Sequence, residues 1–237
     1  MTPDAVVFDF DGVLANTEPL HLRVYQMLSA EHGFSFTTDE YYSNYLGFDD
    51  VGVFEALSRD KGLRVDGPRM EALIERKTVL FQSLVRESAV LFPGTAACLR
   101  AMRAACPIAI ASGALSHEIK LILASAGLDG IVPVIVAAGD TPRGKPAPDP
   151  YLLAMERLSA ASGRHLRPGA SVAIEDSRWG LESARDAGML TVALTTSYGA
   201  SELGQPDLVL SDIAEATPAR LGALVAAAGA RRAEAGA

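Results

Sequence analysis

Short, continuously apolar runs alternate with longer amphipathic stretches over much of the chain. The first run, residues 5–10, is rich in valine, which is typical of a strand buried on both faces of a parallel sheet. Beyond residue 93, further apolar runs alternate with stretches of helical periodicity, a pattern that predicts βαβ units with right-handed crossovers. The predicted strands are 107–111, 132–138, 171–174 and 190–195, and the predicted helices are 94–105, 116–126, 150–162 and 179–187.

Residues 17–88 show helical periodicity without a strand pattern. Thr37 and Glu40 have the spacing of a capping box that opens one of these helices. The other helices are predicted near 18–32, 50–61 and 69–87. The segment leaves the sheet at the carboxyl end of the first strand, where open α/β sheets bind their ligands. We therefore predict a Rossmann-like doubly wound parallel sheet core formed by residues 1–16 and 89–237, with residues 17–88 as an inserted α-helical cap domain.

Composition narrows the function classes. The 237 residues carry a net charge of −8, which argues against a nucleic-acid partner but permits a small anionic substrate at a local positive site. The two cysteines, Cys98 and Cys106, are expected to be buried hydrophobes in a reducing compartment. The amino terminus lacks a signal-peptide pattern, and no apolar run reaches about 18 residues, the length of a membrane span. We expect a cytoplasmic protein, a monomer or weak dimer, without a membrane partner.

Polar residues follow four of the predicted strands, directly at the strand end or, for Lys145, in the loop after it. The carboxyl ends of parallel strands meet at one edge of a sheet, so these residues are expected to lie together. Each set alone has an ordinary structural explanation, such as a turn or a helix N-cap, but four sets at one edge favour a functional site. The residues are Asp9 and Asp11, Ser112 and Gly113, Lys145, and Glu175 and Asp176.

These residue types together indicate phosphoryl chemistry. Several carboxylates in one site need a hard divalent cation, and oxygen ligands suit Mg²⁺. A lysine screens a carboxylate nucleophile from an incoming anion, while a serine hydroxyl and backbone N–H groups bind phosphate oxygens. One aspartate can attack phosphorus to give an aspartyl-phosphate. Asp11 can then protonate the leaving oxygen and activate the hydrolytic water.

Four segments resemble the motifs of the haloacid dehalogenase-like superfamily, in the group of phosphoglycolate phosphatase, CbbY and β-phosphoglucomutase. The segments are "DFDGVLANTEPLH", "IAIASG", "GKPAPDPY" and "IEDSRWGLESARDAGM". The resemblance implies Asp9 as nucleophile, Asp11 as general acid/base, and Ser112 and Lys145 as phosphate-site residues, with Gly12 and Gly113 beside them. It also implies Mg²⁺ held by Asp9, the Asp11 backbone carbonyl and Asp176, with Glu175 as a supporting or direct ligand. Dehalogenases of the superfamily lack the second aspartate, so dehalogenation is disfavoured.

The inserted segment resembles the helical cap of this superfamily, which selects substrate. The mutase pattern has an arginine after a glycine in a cap loop and a Ser-Lys-Asn run beyond the second motif. This chain has Gly47-Phe48-Asp49-Asp50 and Ala114-Leu115-Ser116 instead, which removes the cations that a second phosphate would pair with. We therefore expect a Mg²⁺-dependent phosphatase, a phosphoric monoester hydrolase acting on a sugar phosphate or a phosphoglycolate-like metabolite. The alternatives are a phosphomutase and, in another class, a non-catalytic phospho-acceptor or binding protein.

The segment 17–88 supplies four further substrate-binding candidates: His21, Phe48, Asp49 and Lys77. His21 and Lys77 stand where the mutase pattern also has a histidine and a lysine. Two of the candidates have competing structural explanations: His21 on a solvated or satisfied helix face, and Asp49 as the N-cap of the helix that follows. We interpret Trp179, the only tryptophan, as a packing residue.

Overall fold

The computed structural model describes residues 2–45, 48 and 50–235 of the chain. The chain divides into two compact units. The α/β unit comprises Met1–Asn16 and Val90–Ala237, and the helical unit comprises Thr17–Ala89. No helix of the described residues is both long enough and apolar enough to cross a membrane.

The α/β unit is built on one parallel sheet of six strands in the order β3-β2-β1-β4-β5-β6. All strands are parallel, but β2 and β3 are added on one side of β1 and β4, β5 and β6 on its other side. The order of the strands therefore reverses between β1 and β4. This is the topological switch point, at which such sheets bind ligands. The predicted doubly wound, Rossmann-like fold is confirmed. The strands are β1 (Val6–Phe8), β2 (Ile108–Ala111), β3 (Val134–Val136), β4 (Val172–Glu175), β5 (Leu190–Leu194) and β6 (Leu208–Leu210).

Apolar strands at the centre of the sheet are buried on both faces. All residues of β1, β2, β4 and β5 are buried, as continuous Val, Ile, Leu and Ala runs demand in a sheet covered by helices. A core cluster joins β1, β2, β3 and β4 to the helices that follow β3 and β4 through apolar side chains, among them Ala109, Ala173 and Met155. The helices of this unit are α5 (Thr95–Ala105), α6 (Ser116–Ser125), α7 (Asp149–Ser162), α8 (Arg178–Asp186) and α9 (Pro218–Ala235).

Two elements of this unit are not among the predicted strands and helices. The edge strand β6 was not predicted because it is only three residues long and its central Val209 is 40% exposed, so it lacks a buried run. No bounds were predicted for the last helix, which begins at Pro218, where the Thr217 hydroxyl accepts a hydrogen bond from the Arg220 N–H at 3.2 Å and caps the helix. Proline is favoured in the first turn of a helix, so the pair Thr217-Pro218 indicates a helix start from the sequence alone.

The helical unit packs its helices around an aromatic core. Tyr25 of α1 meets Phe54 of α3 edge-on, with ring centroids 5.7 Å apart. Thr37 forms the predicted capping box: its hydroxyl accepts from the Glu40 N–H, and the Glu40 carboxylate accepts from the Thr37 N–H. The helices of this unit are α1 (Glu18–Glu31), α2 (Thr38–Asn44), α3 (Asp50–Lys61) and α4 (Gly67–Glu87).

Candidate active site

Three buried carboxylates meet at the switch point between β1 and β4. Asp9 follows β1 directly, and its N–H donates to the Ile174 carbonyl at 2.9 Å, which continues the ladder between the two strands. Glu175 is the last residue of β4 and Asp176 follows it. One carboxylate oxygen of each of the three acids lies within 4.8 Å of the others. The parallel pairing of β1 with β4 thus brings the first and fourth sets of predicted site residues together.

Lys145 provides positive charge within this acidic group. Its Nζ lies 2.8 Å from Asp9 Oδ1 and 2.6 Å from Glu175 Oε1. Burial lowers the pKa of Lys145, but the charges of Asp9 and Glu175 outweigh burial and raise that pKa above its ordinary value. The ammonium therefore stays charged between the two acids.

Glu175 is fully buried and held by donors from two helices. The Tyr151 hydroxyl, on α7, donates to Oε1 at 2.7 Å, and the Ser177 hydroxyl donates to Oε2 at 3.2 Å. Ser177 is also the N-cap of α8, since its hydroxyl accepts from the Gly180 N–H at 3.1 Å. A Cβ at Gly180 would lie 1.9 Å from the Glu175 carboxylate, so only glycine lets α8 approach this side chain. Burial and the charge of Asp9 raise the pKa of Glu175.

Asp176 is enclosed by two loops. The Ser197 hydroxyl, from the loop after β5, donates to Asp176 Oδ2. Gly12 has a positive φ of 76°, and a Cβ there would lie 1.8 Å from the same oxygen, so this turn requires glycine for both conformation and space. Burial and the charge of Asp9 raise the pKa of Asp176 to about 7. The predicted binding residue Gly12 therefore packs against Asp176 itself.

Asp11 lies in the turn that follows β1. It forms an isolated parallel bridge with Ala15, and the Gly12 N–H donates to the Ala15 carbonyl at 2.9 Å. The Thr196 hydroxyl donates to the Gly12 carbonyl and so ties the turn to the loop after β5. Asp11 is partly exposed, whereas Asp9 is buried. The two acids of "DFD" therefore differ in solvent access.

Ser112 and Gly113 end β2, the strand next to β1 on the other side. Ser112 is buried, and its hydroxyl oxygen accepts from the Ala114 N–H at 3.1 Å. Because the oxygen serves as an acceptor there, the hydroxyl proton can be donated to an anion. Gly113 is exposed, and a Cβ at this position would meet no atom within 4 Å. Steric room alone therefore does not explain the glycine.

The acid group has the composition of a divalent-cation site. Asp9, Glu175 and Asp176 are three buried carboxyls, and within the described ranges Lys145 is the cation that contacts them. Asp9 Oδ1 is buried and, in the described part of the chain, receives no hydrogen bond, its contact with Lys145 being an ion pair. Carboxylate oxygens with unbalanced negative charge are the donor set that Mg²⁺ favours, so the residues fit this ion.

The helical unit contains the other predicted binding residues. His21 of α1 stacks on Phe81, with ring centroids 4.7 Å apart. Burial, followed by the charge of Lys77, lowers the pKa of His21 to about 3, so its ring is neutral at physiological pH. Phe48 is 52% exposed. Asp49 lies outside the described residues, and so does the prediction made for it.

Lys77 is buried within the helical unit and ion-paired there. Its Nζ lies 3.2 Å from Asp50 Oδ1, and the side chain is 2% exposed. The Tyr25 hydroxyl donates to the same oxygen at 2.5 Å. Asp50, at the start of α3, thus joins α1 and α4 by pairing with one side chain from each.

We expect Asp50→Asn to destabilise the protein by about 3 kcal/mol, because it removes the carboxylate that forms an ion pair with the buried Lys77 ammonium. Asparagine retains an acceptor for the Tyr25 hydroxyl, so the fall in the free energy of unfolding reports the ion pair and not that hydrogen bond. Urea unfolding followed by circular dichroism measures the change. Glu55→Gln, an exposed change of the same charge on α3, serves as the control and should leave the midpoint unchanged. Equal midpoints for the two variants would show that the pair is not stabilising.

Several side chains of this site were not predicted as site residues. Tyr151 and Ser177 stand inside two of the quoted motifs, in "GKPAPDPY" and "IEDS", but their contacts with Glu175 depend on how α7 and α8 pack. Ser197 follows β5 in "LTVALTTS". That strand is also followed by polar residues. The search for polar residues after predicted strands, which gave the other four sets, was therefore sufficient to identify Ser197 as well. Trp179 is 54% exposed and meets Tyr198 edge-on, which differs from the packing role expected for it.

The fold and the site define a doubly wound α/β protein with an acidic, lysine-paired centre at its switch point. The chain belongs to the haloacid dehalogenase-like hydrolase family, whose model matches residues 3–188. The predicted superfamily is therefore confirmed.

Similar proteins agree with this placement. The chain is 32% identical over 203 residues to protein CbbY of Rhodobacter capsulatus, covering 82% of this chain and 86% of that protein. It is 30% identical over 191 residues to a phosphorylated carbohydrates phosphatase of Thermotoga maritima, covering 78% and 82%. A crystal structure of a CbbY variant from Rhodobacter sphaeroides, in complex with xylulose-(1,5)bisphosphate, superposes with a TM-score of 0.74 at 28% identity, covering 90% of this chain and 96% of that one. The family and the phosphatase relative confirm the predicted enzyme class, a phosphoric monoester hydrolase.

Proposed function

We propose that this protein is a Mg²⁺-dependent phosphatase that hydrolyses a small phosphorylated metabolite through an aspartyl-phosphate. The observation that carries the proposal is the contact of Asp9 with Lys145, 2.8 Å apart, beside two further buried acids at the switch point. The Lys145 ammonium offsets the negative charge of the Asp9 carboxylate, and a carboxylate can attack an electrophile as a nucleophile. Such an attack on phosphorus by Asp9 displaces the alcohol and leaves the phosphoryl group on the aspartate.

Asp11 is the proposed acid and base of the two half-reactions. Its partial exposure, in contrast to the burial of Asp9, leaves its carboxyl able to exchange protons with a leaving group and with water. It gives a proton to the departing alcohol oxygen and later takes one from the water that attacks the phosphoryl group. Ser112 donates its hydroxyl proton to a phosphate oxygen, and Lys145 screens the phosphate from the charge of Asp9.

Asp9, Asp176 and the Asp11 backbone carbonyl are the proposed holders of Mg²⁺, with Glu175 nearby. When bound, the ion supplies positive charge that offsets both the acids and the phosphate oxygens. Burial, followed by the charge of Asp9, raises the pKa of Asp176, and this supports the assignment, because a bound cation would offset the cost of keeping this buried carboxylate charged.

We propose that the helical unit is the cap that selects substrate and that it favours a single phosphate. The support is the pairing of Lys77 with Asp50 inside this unit, which neutralises a cation that a second phosphate would otherwise attract. Phe48, exposed on this unit, adds apolar surface, and His21 is uncharged. The same features favour a phosphatase over a phosphomutase, whose substrate carries two phosphates during turnover.

A sugar phosphate is the substrate class we favour. The relative from Thermotoga maritima is named for phosphorylated carbohydrates, and the CbbY variant holds a phosphorylated ketose. Because the latter carries two phosphates, its ligand provides a direct test of the single-phosphate preference.

Phosphate release from p-nitrophenyl phosphate, a panel of hexose and pentose monophosphates, phosphoglycolate and xylulose 1,5-bisphosphate tests the proposal. We expect turnover that EDTA abolishes and Mg²⁺ restores, with a monophosphate preferred over the bisphosphate. Absence of metal-dependent release across the panel contradicts the phosphatase assignment. Conversion of a hexose 1-phosphate to the 6-phosphate with a bisphosphate activator would indicate the mutase instead.

A further inference from the structure

Tyr151 is a buried residue of the α/β unit whose hydroxyl faces the site and has no role in the chemistry described above. It is the third residue of α7 and is 0% exposed. Its hydroxyl donates to Glu175 Oε1 at 2.7 Å, and the same oxygen lies 2.6 Å from Lys145 Nζ. The Lys145 Nζ also lies 5.3 Å from the centre of the Tyr151 ring, within the range of a cation–π contact. Tyr151 thus touches both partners of the ion pair.

We propose that the Tyr151 hydroxyl is a positioning group that fixes Glu175 so that Glu175 holds Lys145 against Asp9. This inference rests on the proposed function of Lys145 in the phosphate site. Glu175 has two oxygens to orient, and Ser177 fixes one of them. Without the Tyr151 hydroxyl, the partner that remains for the other oxygen among the described residues is Lys145, whose long side chain is itself mobile unless it is anchored.

The environment makes this one hydrogen bond consequential. Carboxylate rotation about the last torsion of a glutamate is soft, so donors rather than torsional preference set the plane of the Glu175 carboxylate. Both Tyr151 and Glu175 are 0% exposed, so bulk water cannot directly replace a lost donor. A small rotation of the carboxylate would move the point at which Lys145 is held, and Lys145 lies only 2.8 Å from Asp9.

Tyr151 is suited to act as a donor and not as an acid. A tyrosine hydroxyl is ordinarily protonated at neutral pH, so it presents its hydrogen to the Glu175 carboxylate at 2.7 Å. Phenylalanine would fill the same space and keep the ring under Lys145, so the proposal concerns the hydroxyl alone.

Tyr151→Phe tests the proposal by three measurements. We expect about a tenfold fall in kcat/KM, the size of effect typical of losing one hydrogen bond to a charged group. We expect a several-fold weaker inhibition by inorganic phosphate, because the phosphate-site lysine is displaced. Independently of turnover, acetylation of Lys145 by acetic anhydride should accelerate several-fold relative to the exposed Lys120 in the same digest. Unchanged Lys145 labelling overturns the proposal.

Two controls separate positioning from general stability. Tyr45→Phe removes another buried tyrosine hydroxyl, which donates to Asp60 at 3.3 Å in the helical unit, and should leave kinetics and Lys145 labelling unchanged. In a Glu175→Gln background, Tyr151→Phe should cause little further change, because the partner through which it acts is altered. Full additivity of the two effects overturns the proposal. A wild-type protein without phosphatase activity contradicts the proposed function, while the labelling experiment still decides the role of Tyr151.

Discussion

Asp9→Asn is expected to lower kcat by at least about 10⁴-fold, since removing the nucleophile of a covalent mechanism eliminates the pathway itself. An amide cannot attack phosphorus as an anion, although it occupies nearly the same volume as the carboxylate. The change also removes one of the two acids that contact Lys145 and relieves the repulsion among the three buried carboxyls. We therefore expect a folded but inactive protein. Initial rates with p-nitrophenyl phosphate at saturating Mg²⁺ measure the loss.

The control for this prediction is Asp186→Asn, an exposed change of the same type on α8. It should retain wild-type kcat and KM. Circular dichroism and thermal unfolding should show that both variants are folded. Residual activity of Asp9→Asn within about tenfold of wild type would be incompatible with nucleophilic catalysis by this side chain.

Asp11→Asn is expected to lower kcat by about 10³-fold, within the range measured for general acid–base groups. The effect should depend on the leaving group. p-Nitrophenolate leaves without a proton, whereas a sugar alkoxide needs one, so formation of the phosphoenzyme should fall more for sugar phosphates. Hydrolysis of the phosphoenzyme should slow with both substrates, because the water is no longer activated.

Pre-steady-state kinetics resolves these steps. With p-nitrophenyl phosphate, the Asp11→Asn variant should release a burst of nitrophenol equal to the enzyme concentration and then turn over slowly. The wild-type protein should show a much higher steady-state rate of nitrophenol release. Equal losses for both leaving groups, without a burst, would contradict the assignment of Asp11 as the proton-transfer group.

The centre of the site could be predicted because a parallel sheet imposes it. Once β1 and β4 are recognised as buried parallel strands, their ends must be neighbours, and the pairing of Phe8 with Ile174 places Asp9 beside Glu175 and Asp176. Lys145 was harder to place, because it stands on a long loop after β3 rather than at a strand end. Only the combination of residue types and the motif around it indicated that it reaches the acids.

The groups that support this centre could not be predicted by the same reasoning. The contact of Tyr151 with Glu175 depends on the rotation of α7 about its axis, and the contact of Gly180 depends on the close approach of α8. A hydrophobic pattern shows which face of a helix is buried but not which polar atom it presents to a neighbour. Ser197 is different, because its strand end carried the same polar signal as the others.

The helical unit shows the limit of matching residues by position. Lys77 stands where a substrate-binding lysine is expected from the family pattern, and it remains a candidate for that role. In the structure its charge is balanced by Asp50, a residue whose partner could not be identified from sequence because α3 and α4 meet only in the folded unit. Asp50 is also one of the acids in the loop sequence that distinguishes this chain from the mutase pattern.

Acid quenching of the Asp11→Asn variant during turnover tests whether Asp9 receives the phosphoryl group. Slow dephosphorylation in this variant should allow the intermediate to accumulate. Cleavage after Arg23, the first lysine or arginine of the chain, releases residues 1–23, and tandem mass spectrometry locates any phosphoryl group within them. We expect one phosphoryl group on Asp9, absent when Asp9→Asn is added. Turnover without a covalent phosphoryl group, or with that group on another residue, would contradict it.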